Sequence, residues 1–131
     1  MFADDHEQFA AFKFPSKHNY ALVSCMDSLF LLRRNLLDLL TSETAKEKVC
    51  ADKGASELGS LSDLTSNAIL DGGAIVGLWE YDPASSAIAW TTFVEPDKAL
   101  GDVVSRTEAF VRDQPKSRVP RIEAIRKASK R

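Results

Sequence analysis

Two histidines and two cysteines leave this chain short of the usual material for metal sites and nucleophiles. His6 and His18 fall on different predicted elements, with no HxxxH spacing and no cysteine nearby. Structural zinc takes four N or S ligands, so no metal site is expected. Cys25 and Cys50 have no CxxC spacing, and neither pairs by spacing with a histidine as nucleophile and base would. Cys25 lies in an apolar, strand-like run and is expected to be a buried, inert thiol. Cys50 lies in a polar stretch, and a Cys25–Cys50 disulfide is disfavoured in a reducing compartment. Long apolar runs are also missing. Stretches such as Leu29–Leu32 are far short of the roughly 20 residues that a membrane-spanning helix needs. The opening MFADDHEQ is acidic and lacks the basic-then-apolar order of a signal peptide. A cytoplasmic location with no membrane partner is the resulting expectation. Gly72, Gly73 and Gly77 match no phosphate-cradling pattern, and no cofactor is implied.

What is present is an ordinary soluble composition with a lopsided charge. The 131 residues are 44% hydrophobic and 27% charged, with net charge −2, enough for one domain with a single core. From Gln114 to Arg131 there are seven basic residues and one acid, Glu123, a balance of +6. The first 113 residues carry ten basic and eighteen acidic side chains, a balance of −8. The division is therefore a single α+β domain over 1–113 and a basic C-terminal tail over 114–131, which either interacts with a partner or folds back on the body.

Asn67 to Val94, NAILDGGAIVGLWEYDPASSAIAWTTFV, reads as three short antiparallel strands. Asp71-Gly72-Gly73 is a hairpin signal, because glycine takes positive φ without steric cost. Ala74–Tyr81 splits by alternation into Ile75, Gly77, Trp79, Tyr81 and Ala74, Val76, Leu78, Glu80. Neither set is polar throughout, so this strand is expected at the centre, covered on both sides. Trp79 and Trp90 are candidates for one shared face.

Tyr20–Met26 predicts one further, buried strand. Asp27 or Ser28 then caps a helix with Leu29, Leu32, Leu36, Leu39 and Leu40 as its apolar stripe, broken in two if Asn35 interrupts it. An N-terminal helix over about 4–12 carries Phe2, Phe9 and Phe12 on one face. That face packs either on this core or against another domain. Thr41 to Ser66 reads mainly as loop, with a short polar helix in TSETAKEKV and an alternative helical turn where Leu58, Leu61 and Leu64 recur. Leu100, Val103, Val104, Thr107, Phe110 and Val111 give the clearest i, i+3, i+4, i+7 pattern. They predict an amphipathic helix over about 97–113, lying across the meander. Pro120 opens a last helix, RIEAIRKASK, thin in apolar residues.

The fold class is thus α+β: an antiparallel meander over about 67–94 plus one further strand, packed by helices. The residues best suited to a ligand are basic. Lys116, Arg118, Arg121, Arg126, Lys127 and Lys130 of the tail have the charge and spacing to meet phosphates, against the plainer reading of a solvated segment. Arg33 and Arg34 are further candidates, against a surface ion pair with Asp38. No catalytic constellation emerges.

The run NAILDGGAIVGLWEYD, preceded by YALVSCMDSLFLLRRNLLDLL and followed by a strand and a helix, resembles the C-terminal part of the winged-helix crosslink repair DNA glycosylase (YcaQ-like) family. That part has a hydrophobic strand ending in Asp, matched by Met26-Asp27-Ser28-Leu29, followed by paired basic residues, matched by Arg33-Arg34. A later hairpin is matched by Ile69-Leu70-Asp71-Gly72 through Val76-Gly77-Leu78-Trp79. The PKSRVPRIEAIRK tail is similar to the segment after the closing helix in some members. The resemblance implies a DNA-associated module related to DNA repair proteins. Glycosylase activity in the family is attributed to a Gln-x-Gln motif in an earlier region. This chain has only Gln8 and Gln114, so no catalytic residue carries over and the chain looks like an isolated C-terminal module. The partners expected are duplex DNA, or the protein itself or another protein domain through the N-terminal apolar helix. An enzyme with an unrecognised pocket is the remaining alternative.

Overall fold

The computed structural model describes residues 3–13, 16–32, 35–51 and 54–114. Its centre is a four-stranded antiparallel sheet. The strands are β1 (Tyr20–Val23), β4 (Asn67–Asp71), β5 (Ala74–Asp82) and β6 (Ala87–Thr92), and they lie side by side in that order. The meander and the one further strand are therefore as the sequence predicts. Gly72 and Gly73 both take positive φ, 57° and 90°, the conformation of the two-residue turn that matches strand twist. Among the described residues no helix is long and apolar enough to cross a membrane.

Both faces of the sheet are covered, though not by the expected alternation. Asn67 to Ile69 pair with Trp79 to Gly77, but Leu70 pairs with Ile75, which leaves Val76 as an extra residue in β5. This β-bulge reverses the parity of the strand. Ile75 faces one cluster, with Ala68 and Leu70. Val76 and Trp79 face the other, with Ile69 and Ile88. The assignment of Ile75 and Trp79 to one face is thus corrected. Trp79 and Trp90 do lie directly opposite each other. Gly77 sits at the bulge for want of space: a Cβ there would lie 2.4 Å from the Thr91 carbonyl oxygen.

One face is covered by α3 (Lys98–Asp113). Asp97 caps it, its carboxylate accepting from the Leu100 N–H at 2.9 Å, and Leu100 and Val104 are buried beneath it. Glu108 reaches over the sheet edge and accepts from the Ile88 N–H at 2.9 Å.

The other face is covered in pieces. Asp27 caps the one-turn helix α2 (Ser28–Leu31), accepting from the Leu29 N–H. Asn35 has an extended backbone and caps a separate 3-10 turn, Leu36–Leu39, accepting from the Leu37 N–H at 3.1 Å. The break at Asn35 shifts the helical phase, which corrects the predicted stripe. Phe30 and Leu36 are buried, whereas Leu32 is 83% exposed.

The stretch read as loop holds a two-stranded ribbon, β2 (Lys48–Ala51) and β3 (Gly54–Glu57). A 3-10 turn stands on each side, Thr44–Lys46 and Leu58–Ser60. Thr44 is buried and exchanges bonds with Thr41: each hydroxyl accepts the other's N–H, at 3.0 and 3.2 Å. Val49 and Leu58 plug into the cluster beneath. Gly59 lets the two turns touch, since a Cβ there would lie 2.9 Å from the Ala45 Cβ.

The N-terminal helix α1 (Ala3–Ala11) forms as predicted. Its aromatic face does not enter the core: Phe9 is 72% and Phe12 61% exposed. For Phe9 and Phe12 packing on this core is therefore not observed, and Phe2 lies outside the described residues.

Candidate functional site

Arg33, Arg34, Lys116, Arg118, Arg121, Arg126, Lys127 and Lys130 all lie outside the described residues. The same holds for nearly all of the tail and its predicted last helix. The described residues contain two features that sequence reasoning missed.

The first is a groove of about 420 Å³ between α3 and the sheet. It is lined by Leu22 and Ser24 at the end of β1, Trp79 of β5, and Val103, Arg106 and Phe110 of α3. The groove exists because α3 is anchored by its first half. Leu100 and Val104 sit down on the sheet, while Phe110, near the other end, stays 65% exposed. The lining is mainly apolar, and its polar atoms are largely satisfied. Trp79 donates its indole N–H to the Ala68 carbonyl at 3.1 Å, and the Thr107 hydroxyl donates to the Val103 carbonyl at 2.9 Å. Arg106 is the one charged side chain in the lining. Among the described residues no carboxylate lies within ion-pair distance of its guanidinium.

The second feature is a clasp where the chain enters the sheet. Tyr20 pairs with Asp71 in the β1–β4 ladder, and this register brings His18 onto the same carboxylate. His18 Nδ1 lies 2.6 Å from Asp71 Oδ2. The carboxylate can only accept, so the proton sits on Nδ1 and Nε2 is left to solvent. Asp71 Oδ1 accepts the Asn19 N–H at 2.9 Å, and Gly72 donates its N–H to the Asn19 carbonyl. The His18 ring stacks on Tyr20, centroids 5.4 Å apart and 14° from parallel. The hydrogen bond and then the charge of Asp71 raise the His18 pKa above the usual 6.5. Burial raises the Tyr20 phenol, with Asp97 and Asp71 adding to it.

An imidazole oriented by a carboxylate has the form of a general base. Here it carries the connection into β1, with an aromatic ring beside it. Among the described residues no three His, Cys, Asp or Glu side chains converge as a metal would require. A more polar groove of about 380 Å³ lies between the ribbon and β5–β6, lined by Glu47, Lys48, Cys50, Ser66 and Thr92 among others. Cys25 and Cys50 are free thiols, Cys25 half-buried rather than fully buried and Cys50 exposed.

The groove was hidden in the sequence because Leu22, Trp79 and Phe110 each read as core. The clasp was hidden because Asp71 reads as a turn residue, and His18 meets it only through strand register. No family model, curated protein or solved structure matches the chain.

Proposed function

We propose that this chain is a non-catalytic, DNA-associated module resembling the C-terminal part of winged-helix glycosylase-like proteins. In this reading the basic run after α3, together with Arg33 and Arg34, meets backbone phosphates. The observation that carries it is the charge split: a balance of +6 confined to residues 114–131 of a chain whose remainder carries −8. Such a run binds by releasing condensed counterions, and the acidic body keeps contact confined to the run. The hairpin residues supply kinship and scaffold; their roles in folding account for them.

Replacing Lys116, Arg118, Arg121, Arg126, Lys127 and Lys130 by glutamine is the test. Duplex DNA affinity is measured against salt. The full chain is expected to show an affinity that falls as salt rises, with a slope of roughly 0.9 per phosphate contacted. The substituted chain loses most of that slope. Absence of salt-dependent binding, or an unchanged slope, removes the reading.

A second reading, a protein-interaction module, is supported by the exposed Phe9 and Phe12 of α1. Light scattering on the same samples separates the two. A monomer at all concentrations that also takes up no partner counts against it.

A further inference from the structure

We propose that two copies of this chain pair by exchanging their N-terminal helices: α1 of each copy lays Phe9 and Phe12 in the groove beside α3 of the other, with Asp5 on Arg106. The contact rests on the protein-interaction reading and gives it a specific partner; it is independent of DNA binding.

The case starts from two exposed surfaces of one chain. α1 has nine residues. A helix that short is marginal in water alone and draws its stability from packing an apolar face, yet Phe9 is 72% and Phe12 61% exposed. The groove, for its part, leaves Phe110 of its lining 65% exposed. Among the described residues neither Asp5 nor Arg106 has a salt-bridge partner.

The order of residues matches the two surfaces. Asp5, Phe9 and Phe12 stand at i, i+4 and i+7, and at 3.6 residues per turn they fall within roughly 60° of one another. Phe12 lies one residue past the end of α1, its N–H still bonded to the Phe9 carbonyl. On α3, Val103, Arg106 and Phe110 stand at i, i+3 and i+7 and again fall within roughly 60°, all three lining the groove. Each surface thus offers two apolar side chains and one charge, and the charges are opposite. Arg106 is the one charged residue of the groove, so Asp5 sets the placement of the aromatic rings beside it.

Because one chain carries both surfaces, a two-fold axis satisfies both at once and closes the assembly at two copies. A covered aromatic ring buries roughly 150–250 Å². Four partly exposed rings and the groove surface they cover then amount to about 1,000 Å², the lower bound for a specific interface. The dimer is accordingly reversible.

The experiment follows the mass of the full chain by sedimentation velocity over a concentration series, without DNA. A concentration-dependent dimer is expected. Asp5→Arg alone and Arg106→Glu alone each weaken it roughly tenfold or more, through like charges in contact, and Phe9→Asp abolishes it. All three positions are exposed. Mixing the Asp5→Arg chain with the Arg106→Glu chain restores the dimer, since every groove then meets a helix of opposite charge. Rescue by the two substitutions in one chain but not by the mixture would place α1 in the groove of its own chain and overturn the proposal. A monomer at every concentration also overturns it, and the interaction reading falls with it only if no other protein is taken up. A dimer indifferent to all three substitutions overturns the contact while leaving the interaction reading standing.

Discussion

The two faces of the central sheet are solved in opposite ways. Under α3, one continuous 16-residue helix lays Leu100 and Val104 on Ile69, Val76 and Ile88. Across the sheet, Ala68, Leu70 and Ile75 are covered by a mosaic: a one-turn helix, three 3-10 turns and a two-stranded ribbon. Each tile there contributes about one anchor, namely Phe30, Leu36, Val49 or Leu58. A helix propagates order along its length at little cost per added residue. A mosaic must fix each tile separately, by a cap (Asp27, Asn35) or a side-chain bond such as Thr41–Thr44. The helical face can therefore lift at one end, opening the groove. The mosaic face depends on every anchor being in place.

Gly77 lies in β5, the strand between β4 and β6 that both faces share, so substituting it should break the comparison altogether. Gly77→Ala drives a Cβ into the Thr91 carbonyl, a backbone atom that cannot rotate aside. A loss of about 3 kcal/mol or more is expected, read as a lowered urea midpoint. Near-native stability would show that β5 and β6 separate more readily than their register implies.

A matched pair of cavities sharpens it. Leu58 and Leu100 are both fully buried, one beneath each face, and truncation to alanine is expected to cost each about 2–5 kcal/mol. The distribution of the damage should differ. Leu58→Ala should free the amides of residues 44–60 to exchange while α3 stays protected. Leu100→Ala should loosen α3 and leave the ribbon as it was. Equal loss of protection everywhere in both variants would show the two faces to be one cooperative unit.

The smallest effect lies at the clasp, outside both faces. Folding raises the His18 pKa above 6.5, so the folded state binds protons more tightly. The clasp's contribution is then complete below the unfolded value and disappears as the pH climbs through the folded one. The melting temperatures of the wild type and His18→Ala should differ most below pH 6.5 and converge as pH rises. A gap that widens with pH would contradict the assigned pair. The exposed position of His18 keeps this effect the least of the three.

The same contrast explains how much was legible in the sequence. The helical face was, because Leu100, Val103, Val104 and Thr107 repeat a period longer than any local accident. So was the meander, since Asp71-Gly72-Gly73 permits little besides a tight turn. The mosaic was not. Four-residue strands with one buried side chain, as in Lys48–Ala51, hold too few positions for a period of two. Asn35 is a single residue whose side chain decides the phase of everything after it. The bulge at Val76 was hidden for a related reason: an inserted residue changes only pairing, and pairing is set by the partner strand. The candidate basic residues were visible through charge alone, which fixes no position in space. The groove and the clasp need partners drawn from distant parts of the chain, Leu22 with Phe110 and His18 with Asp71.

The bond from Ile88 to Glu108 bears on how this sheet meets its surroundings. Just beyond β6 the Phe93 N–H points inward to Val76, so by alternation the N–H groups of Ile88, Trp90 and Thr92 point away from β5. The first of them is already taken by a carboxylate from α3. A strand arriving to extend the sheet would have to displace that carboxylate and leave its charge against an apolar surface. Open strand edges invite uncontrolled stacking of copies. Glu108 thus acts as a stopper on the β6 edge: one side chain, borrowed from the helix above, already holds the first outward donor of that strand.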